Sequence, residues 1–282
     1  MLKKTSLTVS LIQTNASDDR AANLKQVTAL MHDAWQSDHP DLLVLPECFD
    51  FIGGLTGDQQ RHAQPAPGSD AYTAMQIFAK KHQVWIHAGS LAEKIDGDDR
   101  IYNTSIIFNR QGEEVSRYRK IHLSDITAPD GKQYNESAIY KAGDNIVTYD
   151  LEGFKVGCAI CYDLRFAELF LELAYRHTDI IILPAAFAVG TGKDHWTVLC
   201  RARAIETQAY LVAAGQIGTH HANGEARQTY GHSLICDPWG HIIAQASDSI
   251  GFTTSRLNRA ELDRARSLIP MQSHRRLKPH GT

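Results

Sequence analysis

Residues 41–47 read Asp-Leu-Leu-Val-Leu-Pro-Glu, and residues 179–185 read Asp-Ile-Ile-Ile-Leu-Pro-Ala. Each is a short, unbroken apolar run closed by Leu-Pro, the composition of a strand buried on both faces. A strand covered on both sides needs a helix layer or a second sheet over it, so these runs point to an α/β fold. Their likeness, one in each half of the chain, has two readings: a pair of pseudo-equivalent half-units, or a coincidence between two buried strands.

Outward from these runs, strand and helix patterns alternate. Residues 7–13 (LTVSLIQ) read as a first strand, and Asp19 caps an amphipathic helix from 20 to about 36. A helix is expected over 71–82 and a strand over 84–90. Strands at 101–109 and 113–120 flank the turn Arg110-Gln111-Gly112, and strands at 145–150 and 155–161 flank Glu152-Gly153. In the second half, helices are expected over 166–177 and 195–208. Strands follow at 210–215, 231–237, 241–246 and 252–256, with Asp237-Pro238-Trp239-Gly240 as a turn. Asn258 caps a last helix to about Leu268. No Gly/Ser/Pro linker or low-complexity tract interrupts the pattern, so residues 1–282 are expected to form one domain of mixed sheets covered by helices, with an irregular tail from about 270.

The composition is that of a globular chain: 282 residues, 43% hydrophobic, 22% charged, with a formal net charge of -3. A nucleic-acid or anionic-membrane partner would call for a basic surplus, and none exists. The first residues lack the apolar core and cleavage site of a secretory peptide, and no window has the apolar length of a membrane span. The five cysteines (48, 158, 161, 200 and 236) are sparse and lie mostly in hydrophobic surroundings, which favours reduced thiols over a disulfide framework. A cytoplasmic protein is expected.

Three reactive side chains directly follow strand-like runs, where open α/β sheets bind their ligands. Cys161 ends the run 155–160, and Asp163 offers a cap to the helix expected from Phe166. A thiol at a helix start is pushed toward thiolate, and the amide of Tyr162 is suited to holding an oxyanion. The competing reading is a buried structural cysteine. Glu47 leaves the first buried strand behind Pro46; a carboxylate near a thiol can take its proton and return it to a departing amine. Its alternative is an ordinary loop acid. Lys120, in Tyr118-Arg119-Lys120-Ile121-His122-Leu123, would stabilise a developing oxyanion or otherwise be a solvated surface charge. Glu136 is a candidate second carboxylate, placed to orient Lys120.

These segments resemble the nitrilase superfamily of carbon–nitrogen hydrolases. Residues 45–50 (LPECFD) resemble its general-base motif, 118–123 (YRKIHL) its lysine motif, and 157–166 (GCAICYDLRF) its nucleophile motif. The likeness continues through His195-Trp196 and residues 201–206 to residues 237–240. It implies an α-β-β-α sandwich of two mixed sheets, usually a homodimer, with Cys161 as nucleophile, Glu47 as general base and Lys120 as oxyanion partner. It also implies Glu136 as an additional active-site acid, acyl transfer through a thioester on a small-molecule amide, and no metal or organic cofactor. Within the superfamily the chain looks like the amidase branch that holds deaminated glutathione amidases and omega-amidases. Residues 49–52, 216–221, 230–233 and 270–276 lean toward the former, which would release 2-oxoglutarate and Cys-Gly. A catalytically silent binding protein on the same fold is the reading from another class. Arg165, His195, His220 and His221 are candidates for substrate binding.

Other signals fail. Cys158 falls inside the strand pattern, unlike the first cysteine of a thioredoxin-type pair, and no second pair offers zinc-ligand spacing. Residues 190–193 (GTGK) lack the first glycine and the Ser/Thr of a phosphate loop.

Overall fold

The computed structural model describes residues 4–127, 131 and 133–277. The first half runs β1 (Ser6–Gln13), α1 (Arg20–Asp38), β2 (Leu42–Val44), α2 (Asp58–His62), α3 (Asp70–His82), β3 (Trp85–Lys94), β4 (Ile101–Phe108), β5 (Glu114–Arg119), β6 (Asp125–Thr127) and β7 (Gln133–Asn135). The second half begins with β8 (Thr148–Leu151), β9 (Phe154–Cys158), α4 (Ala167–Tyr175), β10 (Ile180–Ala185), α5 (Val189–Thr207), β11 (Tyr210–Gly215) and β12 (Ile217–Ala222). It closes with β13 (Glu225–Tyr230), β14 (Leu234–Cys236), β15 (Ile242–Gln245), β16 (Gly251–Asn258), α6 (Arg259–Leu268) and α7 (Met271–His274).

Two six-stranded sheets have the orders β16-β1-β2-β3-β4-β5 and β15-β14-β11-β10-β9-β8. In each, three parallel strands form the centre: β1, β2 and β3 in one, β9, β10 and β11 in the other. Antiparallel strands flank them. β2 and β10, the two Leu-Pro runs, are the middle strands of these matching trios, so the half-unit reading of their likeness agrees with the topology.

The layers follow from burial. Apolar side chains from both sheets, among them Val9, Val44, Val156, Ile182 and Val212, meet between them. A second apolar layer joins the first sheet to α1 and α3 through Val27, Met31, Met75 and Phe78. A third joins the second sheet to α4 and α5 through Phe170, Leu173, Trp196 and Cys200. The result is an α-β-β-α sandwich. The helix starts are fixed locally: Asp19 accepts from Ala22 N at 3.0 Å and Ser69 from Tyr72 N at 3.0 Å, caps that typically contribute about 1 kcal/mol each.

Four local expectations need correction. Helix α5 begins at Val189, not at His195, and takes in Gly190 and Gly192. A Cβ on Gly192 would lie 2.5 Å from the Tyr230 Cβ, so close packing, not a turn, asks for glycine there. Strand β9 stops at Cys158, and Cys161 opens a 3-10 turn (Cys161–Arg165). The β12–β13 hairpin lies where only a loop was expected. Residues 271–274 of the tail are helical, and Gln272 Nε2 donates to Ala174 O at 3.2 Å; residues 278–282 of that tail lie outside the described residues.

Candidate active site

The chain turns sharply as it leaves β2. Leu45 N–H donates to His87 O at 3.1 Å, and the backbone of residues 45 and 46 passes directly over Gly89. A Cβ at Gly89 would stand 1.9 Å from Pro46 O, so only glycine admits this crossing. Cys48 then adopts a left-handed conformation (φ 53), its N–H donating to Ser90 Oγ at 3.1 Å. Gln216 Nε2 holds Glu47 O at 3.0 Å from the other sheet. The Glu47 side chain is thereby fixed in the interior. Its Oε1 accepts from Asn103 Nδ2 at 2.8 Å and Lys120 Nζ at 3.1 Å, and its Oε2 from Ala186 N at 2.8 Å. Ala186 directly follows β10, so the two Leu-Pro strands meet at their carboxyl ends through this carboxylate.

Lys120 follows β5, its N–H bonded to Asn103 O at 2.9 Å. Only 3% of its side chain is exposed. Nζ also donates to Glu136 Oε1 at 2.8 Å, and Glu136 Oε2 accepts from Ser124 N at 2.6 Å. Burial works against the ammonium, but Glu136 and Glu47, with the Cys161 sulfur, outweigh it and hold the Lys120 pKa well above its ordinary value.

Cys161 sits at the first position of the 3-10 turn with φ 44, a conformation unfavourable for any residue with a Cβ. The charges of Glu47 and Lys120 both act on its thiol. Burial and the Glu47 charge push the thiol well above its usual pKa; Lys120 and the Ala186 amide pull the other way and lose. The expectation of a helix-stabilised thiolate is therefore corrected. Helix α4 starts at Ala167, six residues on, and the ammonium is already shared by two carboxylates.

Asp163 does not cap α4 either. It is fully buried, and its Oδ2 accepts from Tyr118 Oη at 2.7 Å and Ile160 N at 2.8 Å. Its Oδ1 receives His122 N at 3.0 Å and lies 2.7 Å from His122 Nδ1, while the His122 ring stacks on Phe166 at 3.7 Å. It thus ties the segment carrying Lys120 to the turn carrying Cys161.

Arg165 lies over the rings of Phe187 (4.9 Å) and Tyr162 (5.8 Å), with Nη1 3.2 Å from His195 Nδ1. His195 itself is exposed on α5. His220 is buried with both ring nitrogens engaged, Nδ1 at 2.7 Å from Ala16 O and Nε2 at 2.7 Å from Thr229 Oγ1. It is a pin for the hairpin rather than a free binding group. His221 is exposed, as strand alternation places it on the other face. Cys158 is fully buried in β9, and burial raises its thiol pKa. Asn103, the Ala186 amide and Gln216 escaped the sequence reading. Their bonds to Glu47 span 56, 139 and 169 residues, and no local pattern encodes them.

Residues 8–267 match the carbon–nitrogen hydrolase family pattern. The chain is 39% identical over 238 residues to deaminated glutathione amidase of Synechocystis sp. (strain PCC 6803 / GT-S), covering 83% of this chain and 86% of that protein. It is 36% identical over 280 residues to deaminated glutathione amidase of Dictyostelium discoideum, covering 95% and 94%. Among solved structures, Saccharomyces cerevisiae Nit3, a member of branch 10 of the nitrilase superfamily, superimposes with a TM-score of 0.86 at 30% identity, over 98% of this chain and 99% of that one.

Proposed function

The chain belongs to the carbon–nitrogen hydrolase family, and we propose that it is an amidase in which Cys161 attacks the substrate carbonyl, Glu47 moves the protons and Lys120 stabilises the oxyanion. The observation that carries this reading is the buried Glu47 carboxylate, which binds the Lys120 ammonium at 3.1 Å and whose charge acts on the Cys161 thiol. In the first step the sulfur bonds to the carbonyl carbon while the S–H proton passes to Glu47. The resulting oxyanion is held by the Lys120 ammonium and by the Tyr162 backbone N–H. Collapse breaks the C–N bond, and Glu47 returns the proton to the leaving nitrogen. Water then attacks the thioester with Glu47 again as base, and the acid leaves as sulfur regains its proton. Glu136 holds the Lys120 ammonium at 2.8 Å and keeps it charged through the cycle.

The substrate we propose is deaminated glutathione, cleaved to 2-oxoglutarate and Cys-Gly. The names of the Synechocystis and Dictyostelium relatives support this. Arg165 beside the nucleophile is suited to a substrate carboxylate, with His195 bracing its guanidinium. We further propose a cytoplasmic homodimer. The described cysteines are all free, and the exposed Val198 and Ile205 of α5 offer apolar surface to a second copy. Among the described residues no helix is long and apolar enough to cross a membrane.

The test is a time course of purified protein with deaminated glutathione and, separately, with 2-oxoglutaramate and 2-oxosuccinamate. Release of Cys-Gly from the first is expected. Ammonia from the latter pair alone would make it an omega-amidase, and inertness toward all three would remove both readings.

A further inference from the structure

The β12–β13 hairpin covers the site from one side. Ala222 pairs with Gly54 in the loop that follows Glu47, and Thr229 pairs with Ala188, two residues after the Ala186 amide that holds Glu47. Tyr230 N–H donates to Phe187 O at 2.8 Å. Arg227 stands directly opposite His220 in the hairpin register, so it projects from the same face as the buried His220 and Thr229. Its guanidinium lies over the ring of Tyr134, 5.0 Å from the centroid, and Tyr134 is two residues before Glu136. Arg227 is thus bracketed by two segments that each touch the Glu47–Lys120–Glu136 cluster within two residues.

The Nε of Arg227 is buried without a hydrogen-bond partner among the described residues. An unmet N–H of a charged group is unfavourable in the interior, and such groups are generally satisfied by protein, water or ligand. The Tyr134 ring lies on one side of the guanidinium, and the fork of guanidinium donors matches a carboxylate. Sequence reading passed over this residue, because the polar stretch around it reads as a loop.

We propose that Arg227, with its guanidinium over the Tyr134 ring, binds a terminal carboxylate of the amide substrate and so selects for acidic amides. The inference rests on the amidase reading above. That substrate carries a carboxylate at each end, and Arg227 adds a second guanidinium to that of Arg165, which lies over Phe187 and Tyr162.

The test uses the full-length C161A protein, in which substrate binds without turnover. Calorimetric titrations compare intact deaminated glutathione with a form whose two carboxylates are capped as primary amides. Adding Arg227→Met is expected to weaken binding of the diacid by about tenfold or more while leaving the capped form unchanged. Arg227→Lys is expected to recover part of the loss. Equal affinity for the diacid with and without Arg227 would overturn the assignment, as would equal weakening for both ligands, which marks a structural role. If C161A binds neither ligand, the substrate reading itself falls and the assignment with it, an outcome distinct from a failure confined to Arg227.

Discussion

Two buried carboxylates, Glu47 and Asp163, serve the segment around Cys161, and their environments differ in one respect. Asp163 is met by groups that keep their protons: two backbone amides, a tyrosine hydroxyl and a histidine ring. Glu47 is met by an amide side chain, a backbone N–H and an ammonium, and in the proposed mechanism it also takes the Cys161 proton. The first set is fixed, so Asp163 can only position. The second, in the proposed mechanism, gains one hydrogen that leaves when sulfur attacks carbon. Burial and hydrogen bonding alone do not distinguish an architectural carboxylate from a catalytic one; the identity of the donors does.

Removing the atom that gives Glu47 its proton should have the largest effect. Cys161→Ala is expected to lower kcat by ~10⁴-fold or more with little change in Tm. Turnover within tenfold of the parent would end the nucleophile assignment. Glu47→Gln keeps the shape and an acceptor for Lys120 but no longer takes a proton, and kcat should fall by about 10²–10⁴-fold. The same change removes a negative charge that raises the Cys161 pKa and leaves the Lys120 charge that lowers it. The midpoint of a pH profile for iodoacetamide alkylation of Cys161 should therefore move down as turnover collapses. A midpoint that moves up would show that Glu47 does not govern the thiol.

Asp163→Asn should invert the pattern. An amide cannot accept at both positions, so one of the fixed donors loses its partner, at about 2–4 kcal/mol of stability and a Tm lower by about 5–10 °C. At temperatures where the variant is folded, kcat should stay within about tenfold of the parent. A loss as deep as that of Glu47→Gln with unchanged Tm would place Asp163 in the chemistry and collapse the distinction.

The comparison also explains what was legible in the sequence. The Leu-Pro strands announce themselves because burial on both faces leaves only apolar residues at 42–45 and 180–183. Glu47, Lys120 and Cys161 stand out because each follows a strand and each lies in a motif. Asp163 was misread as a cap because its spacing to Phe166 fits one, whereas its partners Tyr118 and His122 come from 45 and 41 residues away. The β12–β13 hairpin was missed although Asn223-Gly224 is a hairpin turn signal. Its strands, Ile-Gly-Thr-His-His-Ala and Glu-Ala-Arg-Gln-Thr-Tyr, are mostly polar or small, so the apolar alternation that marks a strand is absent. Helix α5 was begun late because glycine in a helix normally argues against one, and only the tertiary contact with Tyr230 explains Gly192. Local pattern thus carries the scaffold and the reactive atoms, while the groups that orient them depend on contacts across the fold.

His87 extends the comparison to a buried base. It lies fully inside the sandwich, with Nδ1 3.2 Å from Tyr149 Oη and Nε2 without a partner among the described residues. Burial lowers its pKa to about 3, whereas the unfolded chain binds that proton at about 6.5. Between these values the unfolded state holds the extra proton, so stability rises with pH. It is complete above about 6.5 and is lost as pH falls toward 3, by about 1.4 kcal/mol per pH unit. His87→Gln removes the titration and should flatten that part of the stability–pH curve, measured by denaturant unfolding between pH 6 and 4. An unchanged slope in the variant would mean that the acid sensitivity comes from other groups.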